Sequence, residues 1–264
     1  MTAADEALQK LREQVAIACR IIAQQGLAHE VAGHVSARIP GTDRMLIRGR
    51  SADERGVRFT TVDAIREADF RGESDGDEWE LPLELPIHGE TYRAREDVGA
   101  VIHAHPTYSV LCSVAGVPLE PVYGAYSSGG LRVALKGIAT YPYGRLIDDL
   151  DSAAELVDAL GDRSACLMRG HGFTVVGRDV PEATLNAIHV ERLAFFSWQL
   201  HLGGVSNARV PAEDEAFFSK PYKRSMGQAA GTAGGRDRGA DTEWRWRSYV
   251  AEDEALQRYG HPIN

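Results

Sequence analysis

One short stretch, Val101-Ile102-His103-Ala104-His105-Pro106, constrains this chain more than any other. In an extended strand successive side chains alternate faces, so His103 and His105 point the same way at the strand's end, just before Pro106. Two imidazoles on one strand end form a chelating pair, half of a histidine-rich site for a divalent metal. Such a site needs one or two further ligands from elsewhere in the chain.

The leading third ligand is His171, flanked by Gly170 and Gly172 at the end of the apolar strand 164–168. Small neighbours there let the backbone approach another group closely. The leading fourth is Glu84, set between Leu83 and Leu85 just before a helix that feeds the histidine-bearing strand. A carboxylate in apolar surroundings wants a cation. Each signal has a plainer reading when taken singly: HxH can be a strand end, Gly-His-Gly a turn with a satisfied histidine, and Glu84 the partner of an arginine. Their combination suggests three histidines with a carboxylate as fourth ligand or proton-transfer group. His29, His88, His189, His201 and His261 are read as structural or solvent-facing, and Cys19, Cys112 and Cys166 as buried, reduced thiols.

The pattern of elements indicates an α/β fold, a layered α/β/α single domain. Apolar spacing of three and four predicts a helix over 4–25. A hairpin is expected from His34–Ile39 and Met45–Arg48, with a possible short strand over 58–60 and an acidic turn over 71–77. A helix to about Arg95, the strand 98–105 and a helix over 107–114 come next. Residues 117–143 read as ordered loop with short strands. They lead into a helix over 152–160, strands 164–168 and 173–176, and a long helix from Pro181 to about Leu202. The body spans 1–205, and 206–264 forms a C-terminal extension with a flexible loop near 226–241. The aromatic segment 243–259 is expected to dock on a neighbour or over a site mouth.

Composition narrows the partners. A net charge of -9 over 264 residues, with scattered Lys and Arg, argues against a nucleic-acid surface. No apolar run reaches the roughly 20 residues that cross a bilayer, and the N-terminus lacks the layout of a signal peptide, so a cytoplasmic address is expected.

Read in order, Gly33-His34-Val35-Ser36-Ala37-Arg38, Glu84 followed four positions on by His88, His103-Ala104-His105-Pro106, Ser128-Gly129-Gly130 and Arg169-Gly170-His171-Gly172 resemble the class II aldolase/adducin family over about residues 10–205. The resemblance implies a three-layered α/β/α fold and a four-fold symmetric tetramer with its active site between subunits. It puts His103, His105 and His171 on the metal ligands, Glu84 on the catalytic acid/base and Tyr123 on a tyrosine reaching into the neighbouring subunit's site. The metal could be zinc, manganese, iron or cobalt.

The chain departs from the family's sugar-phosphate enzymes where they hold phosphate. His34 stands at their Asn position, Arg48-Gly49-Arg50-Ser51 at their Thr-Gly turn, and Pro82-Leu83 where they have serines. Guanidinium groups are planar and bind carboxylates in bidentate fashion, so Arg48 and Arg50 suggest a planar acid, unless they merely pair with Asp53, Glu54 or another surface acid. Ser127, Ser128, His34 and Tyr123 would add polar contacts around an aromatic ring. In these features the chain is similar to the family's metal-dependent decarboxylases of hydroxylated aromatic dicarboxylates. That resemblance implies a small aromatic carboxylate as substrate, with Tyr123 and His34 assisting Glu84. The alternatives are an aldolase, epimerase or dehydratase of a sugar (phosphate) or hydroxy-keto acid, and a metal-free module that only makes protein contacts.

Overall fold

The computed structural model describes residues 2–74, 79–206, 208–220 and 238–260. Helix α1 (Ala3–Gln24) begins at a capping box in which Thr2 accepts from Asp5 N–H and the Asp5 carboxylate accepts from Thr2 N–H. Its buried face is Val15, Ala16, Ala18, Cys19, Ile21 and Ile22, matching the expected helix. The expected hairpin is present as β1 (His34–Arg38) and β2 (Arg44–Arg48), paired antiparallel with Ser36 opposite Ile47.

The structure corrects the next segment. Residues 57–59 form a turn of 3-10 helix, with Thr60 Oγ1 donating back to Val57 O, rather than a strand. A strand not anticipated from sequence follows, β3 (Ile65–Asp69), on the edge of the sheet. The expected acidic turn lies partly outside the described residues.

After α2 (Leu85–Ala94), the central strand β4 (Ala100–Ala104) and α3 (Thr107–Ala115), the segment expected to be ordered loop with short strands contains a helix, α4 (Ser128–Leu135), as well as a short strand, β5 (Ala139–Tyr141). Then come α5 (Leu150–Leu160), β6 (Ala165–Met168), β7 (Gly172–Gly177) and the long α6 (Val180–Leu202). Asp179 caps α6 by accepting from Glu182 N–H, and Pro181 sits in its first turn.

Beyond these lie α7 (Ala212–Ser219) and α8 (Arg238–Tyr259). Of the flexible loop expected near 226–241, residues 226–237 lie outside the described residues and 238–241 open α8. That helix packs on α1 and α6 of its own chain. Arg20 meets Asp253 through Nε and Nη2, and Trp246 is buried.

The seven strands run in the order β3-β2-β1-β4-β7-β6-β5, antiparallel except for the parallel pair β5 and β6. Alternation divides the strands between two cores. Val35, Ala37, Leu46, Ile102 and Val175 pack toward α1, α3 and α6, while Met45, Ile47, Val101 and Val176 pack toward α2 and α5. Helices cover both faces, which makes the expected three-layer α/β/α domain. No helix among the described residues is long and apolar enough to cross a membrane.

Candidate active site

The α2/α5 face of the sheet gathers the candidate residues, because His34 and Ser36 of β1, His103 of β4 and Thr174 of β7 all point there. His34 pairs in register with His103, and His103 with Thr174. His105 lies one residue beyond the end of β4, and its Nε2 comes within 2.9 Å of His103 Nε2. Pro106 then starts α3, whose first-turn amides at Tyr108 and Ser109 donate to the Glu191 carboxylate of α6 at 2.8 and 2.9 Å. That contact anchors the strand end on which the pair sits.

His171 arrives in the turn between β6 and β7. A side chain at Gly172 would put its Cβ 2.1 Å from Ala104 O and 2.8 Å from His105 Cδ2, so only glycine lets His171 come up beside the pair. The Nδ1–H of His171 donates to Arg145 O at 3.2 Å, which leaves its Nε2 lone pair aimed at the cluster.

Glu84 precedes the first turn of α2, and its carboxylate is buried although its neighbour Leu83 is 69% exposed. Oε2 lies 3.1 Å from His103 Nε2, and Oε1 lies 3.5 Å from His171 Nε2. Ligand atoms of Glu84, His103, His105 and His171 all fall within 4.8 Å of one another. Tetrahedral ligands about 2.0–2.1 Å from a zinc-sized ion would stand roughly 3.3 Å apart, so these spacings fit a divalent cation.

The electrostatics agree with that fit. Burial pushes the Glu84 pKa up, but the hydrogen bond from His103, with His103 and His171 close by, outweighs it and pulls the value down to about 2. Burial, then His103 and His171, lowers His105 to about 4, and burial with His103 lowers His171. At neutral pH Glu84 is therefore a carboxylate and His105 and His171 are neutral imidazoles, protonation states suited to a metal.

The remaining candidates divide. His34 is buried, with Nε2 3.9 Å from Glu84 Oε2, and burial followed by the nearby His88, His103, His105 and Arg50 holds its pKa well below the ordinary value. Arg50 thus lies near enough to act on His34. One Nη2–H donates to Val31 O, while its buried Nε has no hydrogen-bond partner.

Arg48 is a correction. It shares the strand face of Leu46, toward α1, and its guanidinium is buried with Nε donating to Thr60 Oγ1 and Nη2 to Glu54. Alternation along β2 sends it away from the histidines, to the acid-paired role that was its plainer reading. Tyr123 and Ser127 also lie on the α6 side. Tyr123 packs against Tyr126 and Phe196, Ser127 is buried beside Gly130, and Ser128 opens α4. Burial raises the Tyr123 phenol to about 12, so it keeps its proton at neutral pH. Within one chain the sheet separates this group from the four-ligand cluster.

Sequence reasoning missed His88, Ser36 and Tyr92. His88, placed among the structural or solvent-facing histidines, is fully buried, with Nε2 2.7 Å from His34 Nδ1. Its spacing from Glu84 was the available signal: four residues apart at the start of one helix, they project from the same side.

A family model described as Class II Aldolase and Adducin N-terminal domain matches residues 13–198, and the chain belongs to that family. It is 41% identical over 211 residues, 78% of this chain and 84% of the relative, to a 3,4-dihydroxyphthalate decarboxylase from Arthrobacter keyseri. To the 3,4-dihydroxyphthalate decarboxylase of Rhodococcus jostii (strain RHA1) it is 39% identical over 195 residues, 72% of this chain and 80% of that one. In fold it is similar to an L-fuculose 1-phosphate aldolase from Glaciozyma antarctica PI12, with a TM-score of 0.77 at 20% identity, covering 100% of this chain and 96% of that chain.

Proposed function

We propose that the protein is a divalent-metal-dependent lyase that removes carbon dioxide from a hydroxylated aromatic dicarboxylate of the dihydroxyphthalate type. The observation that carries this reading is the 39–41% identity to 3,4-dihydroxyphthalate decarboxylases over most of the chain. The arrangement of the site supports it. His103, His105, His171 and Glu84 would hold zinc, manganese, iron or cobalt, and such an ion would supply Lewis-acid stabilisation of the electron density left on the ring.

The chain's own groups do the rest. Arg50, with an unpartnered buried Nε, binds the carboxylate that stays. Glu84, ionised in the resting site, takes the ring hydroxyl's proton and returns it to the ring carbon as the carbon–carbon bond breaks. The phenolate left behind takes one proton from solvent, so one proton is consumed for each carbon dioxide released. His34 faces the same space and donates a hydrogen bond to a substrate oxygen. Tyr123, Ser127 and Ser128 contribute from the neighbouring subunit of a homotetramer. Three free, buried cysteines support a cytoplasmic address.

Purified protein loaded with one metal at a time, incubated with 3,4-dihydroxyphthalate and in parallel with a phosphorylated ketose, tests the reading. Carbon dioxide from the first and no cleavage of the second is the expected outcome. Retro-aldol cleavage of the sugar phosphate without decarboxylation would overturn it, as would full activity after exhaustive chelation.

A further inference from the structure

Beside Glu84 begins a file of buried polar side chains that the four-ligand cluster does not include. His34 Nδ1 lies 2.7 Å from His88 Nε2, His88 Nδ1 lies 2.6 Å from Ser36 Oγ, and Ser36 Oγ lies 2.7 Å from Tyr92 Oη. The most exposed of the four, His34, is only 4% accessible. Buried polar contacts this short are tolerated when each carries one hydrogen, so the direction of the whole file follows from its two ends.

At the inner end the groups next to Tyr92, apart from Ser36, are donors: the Arg38 guanidinium sits 4.9 Å from the centre of its ring, and Val101 N–H lies near its hydroxyl. Ser36 Oγ is the acceptor the structure offers its proton. At the outer end stands the Glu84 carboxylate, which only accepts. Both ends require the same direction. Tyr92 O–H donates to Ser36, Ser36 O–H to His88 Nδ1, and His88 Nε2–H to His34 Nδ1. The remaining proton of His34 then sits on Nε2, facing Glu84. The reverse direction would turn the Tyr92 proton toward donors and set a His34 lone pair against a carboxylate.

We propose that Tyr92, Ser36 and His88 are positioning residues that lock His34 in its Nε2–H tautomer, so that it presents a fixed hydrogen-bond donor to an anionic oxygen of the substrate. The tautomer stands on the geometry alone, whereas the donation to substrate rests on the decarboxylase reading above. A donor aimed before the charge develops needs no reorganisation as the carbon–carbon bond breaks.

Two measurements test this. In zinc-loaded protein carrying 15N-labelled histidine, with the His34 signals identified by their loss in His34→Asn, both His34 and His88 should show a protonated Nε2 and an unprotonated Nδ1. A His34 proton on Nδ1, or on both nitrogens, overturns the proposal whatever the substrate proves to be. In kinetics, His88→Gln keeps an acceptor for Ser36 and a donor for His34, and should hold kcat within about threefold. His88→Leu keeps neither, and should lower kcat by about 10–100-fold with KM and zinc content unchanged. A folded, zinc-loaded His88→Leu enzyme with the original kcat overturns the proposal, and so does equal damage from the two variants. Failure of the decarboxylase reading is recognised separately, as absence of carbon dioxide release from the unmutated protein, while the labelled spectrum remains readable.

Discussion

Arg48 and Arg50 stand two residues apart and yet do different work. Arg48 is buried on the α1 side of the sheet and held by Glu54 and Thr60. Arg50, past the end of β2, lies near His34 with its Nε unpartnered. Under the decarboxylase reading, Arg50→Ala should raise KM for the dicarboxylate by about 10–100-fold, the worth of a charge-assisted pair, without changing metal content. Steady-state kinetics with elemental analysis checks this, and an unchanged KM removes Arg50 as the carboxylate clamp. Arg48→Ala should act on stability instead. It leaves the Glu54 carboxylate without its buried partner and should cost about 3 kcal/mol in chemical denaturation while sparing KM.

At the scale of elements, the cluster depends on β7 lying close against the end of β4. Gly172 sits at that contact, where a Cβ would meet Ala104 O at 2.1 Å. Gly172→Ala should therefore push the 169–172 turn away from His105 and weaken metal binding at least tenfold, with a smaller loss of thermal stability. Competition with a chelator of known affinity measures the first effect, and unaltered affinity would show that the turn can move without disturbing the ligands. The elements that escaped sequence reasoning share a cause. Edge strand β3 buries only Ile65 and Ala68 of five residues, which is not the alternation of a half-buried strand. Helix α4 opens on Ser128-Gly129-Gly130, residues that ordinarily mark a loop, and is held by packing on α6.

Across the whole molecule, α8 is tied to the body on its α1 and α6 side. Asp253, 1% exposed, bridges Arg20 through Nε and Nη2 and also accepts from Gln24. Asp253→Ala strands the Arg20 charge and should cost about 3–5 kcal/mol, lowering the melting temperature by several degrees. Calorimetry of the full chain decides this, and an unchanged transition would make the tail's docking incidental. The separation of Tyr123 from Glu84 by the sheet sets a further expectation. Mixed after co-refolding, inactive Glu84→Gln and Tyr123→Phe chains should regain activity in about a quarter of their sites if a neighbour completes each one. No recovery would confine the site to one subunit.

The sequence by itself determined what is local. The strand that ends in His103 and His105, the glycines around His171, the carboxylate ahead of α2 and the alternation that sorts each strand's side chains between two cores are all set by backbone period and steric size. Only the tertiary structure decided which of these faces meet. It turned Arg48 away from the histidines, drew His88 and Tyr92 under His34, and set Tyr123 across the sheet from Glu84. Residues far apart in the chain come together through the packing of whole elements, and the period of any one element carries no record of its neighbours.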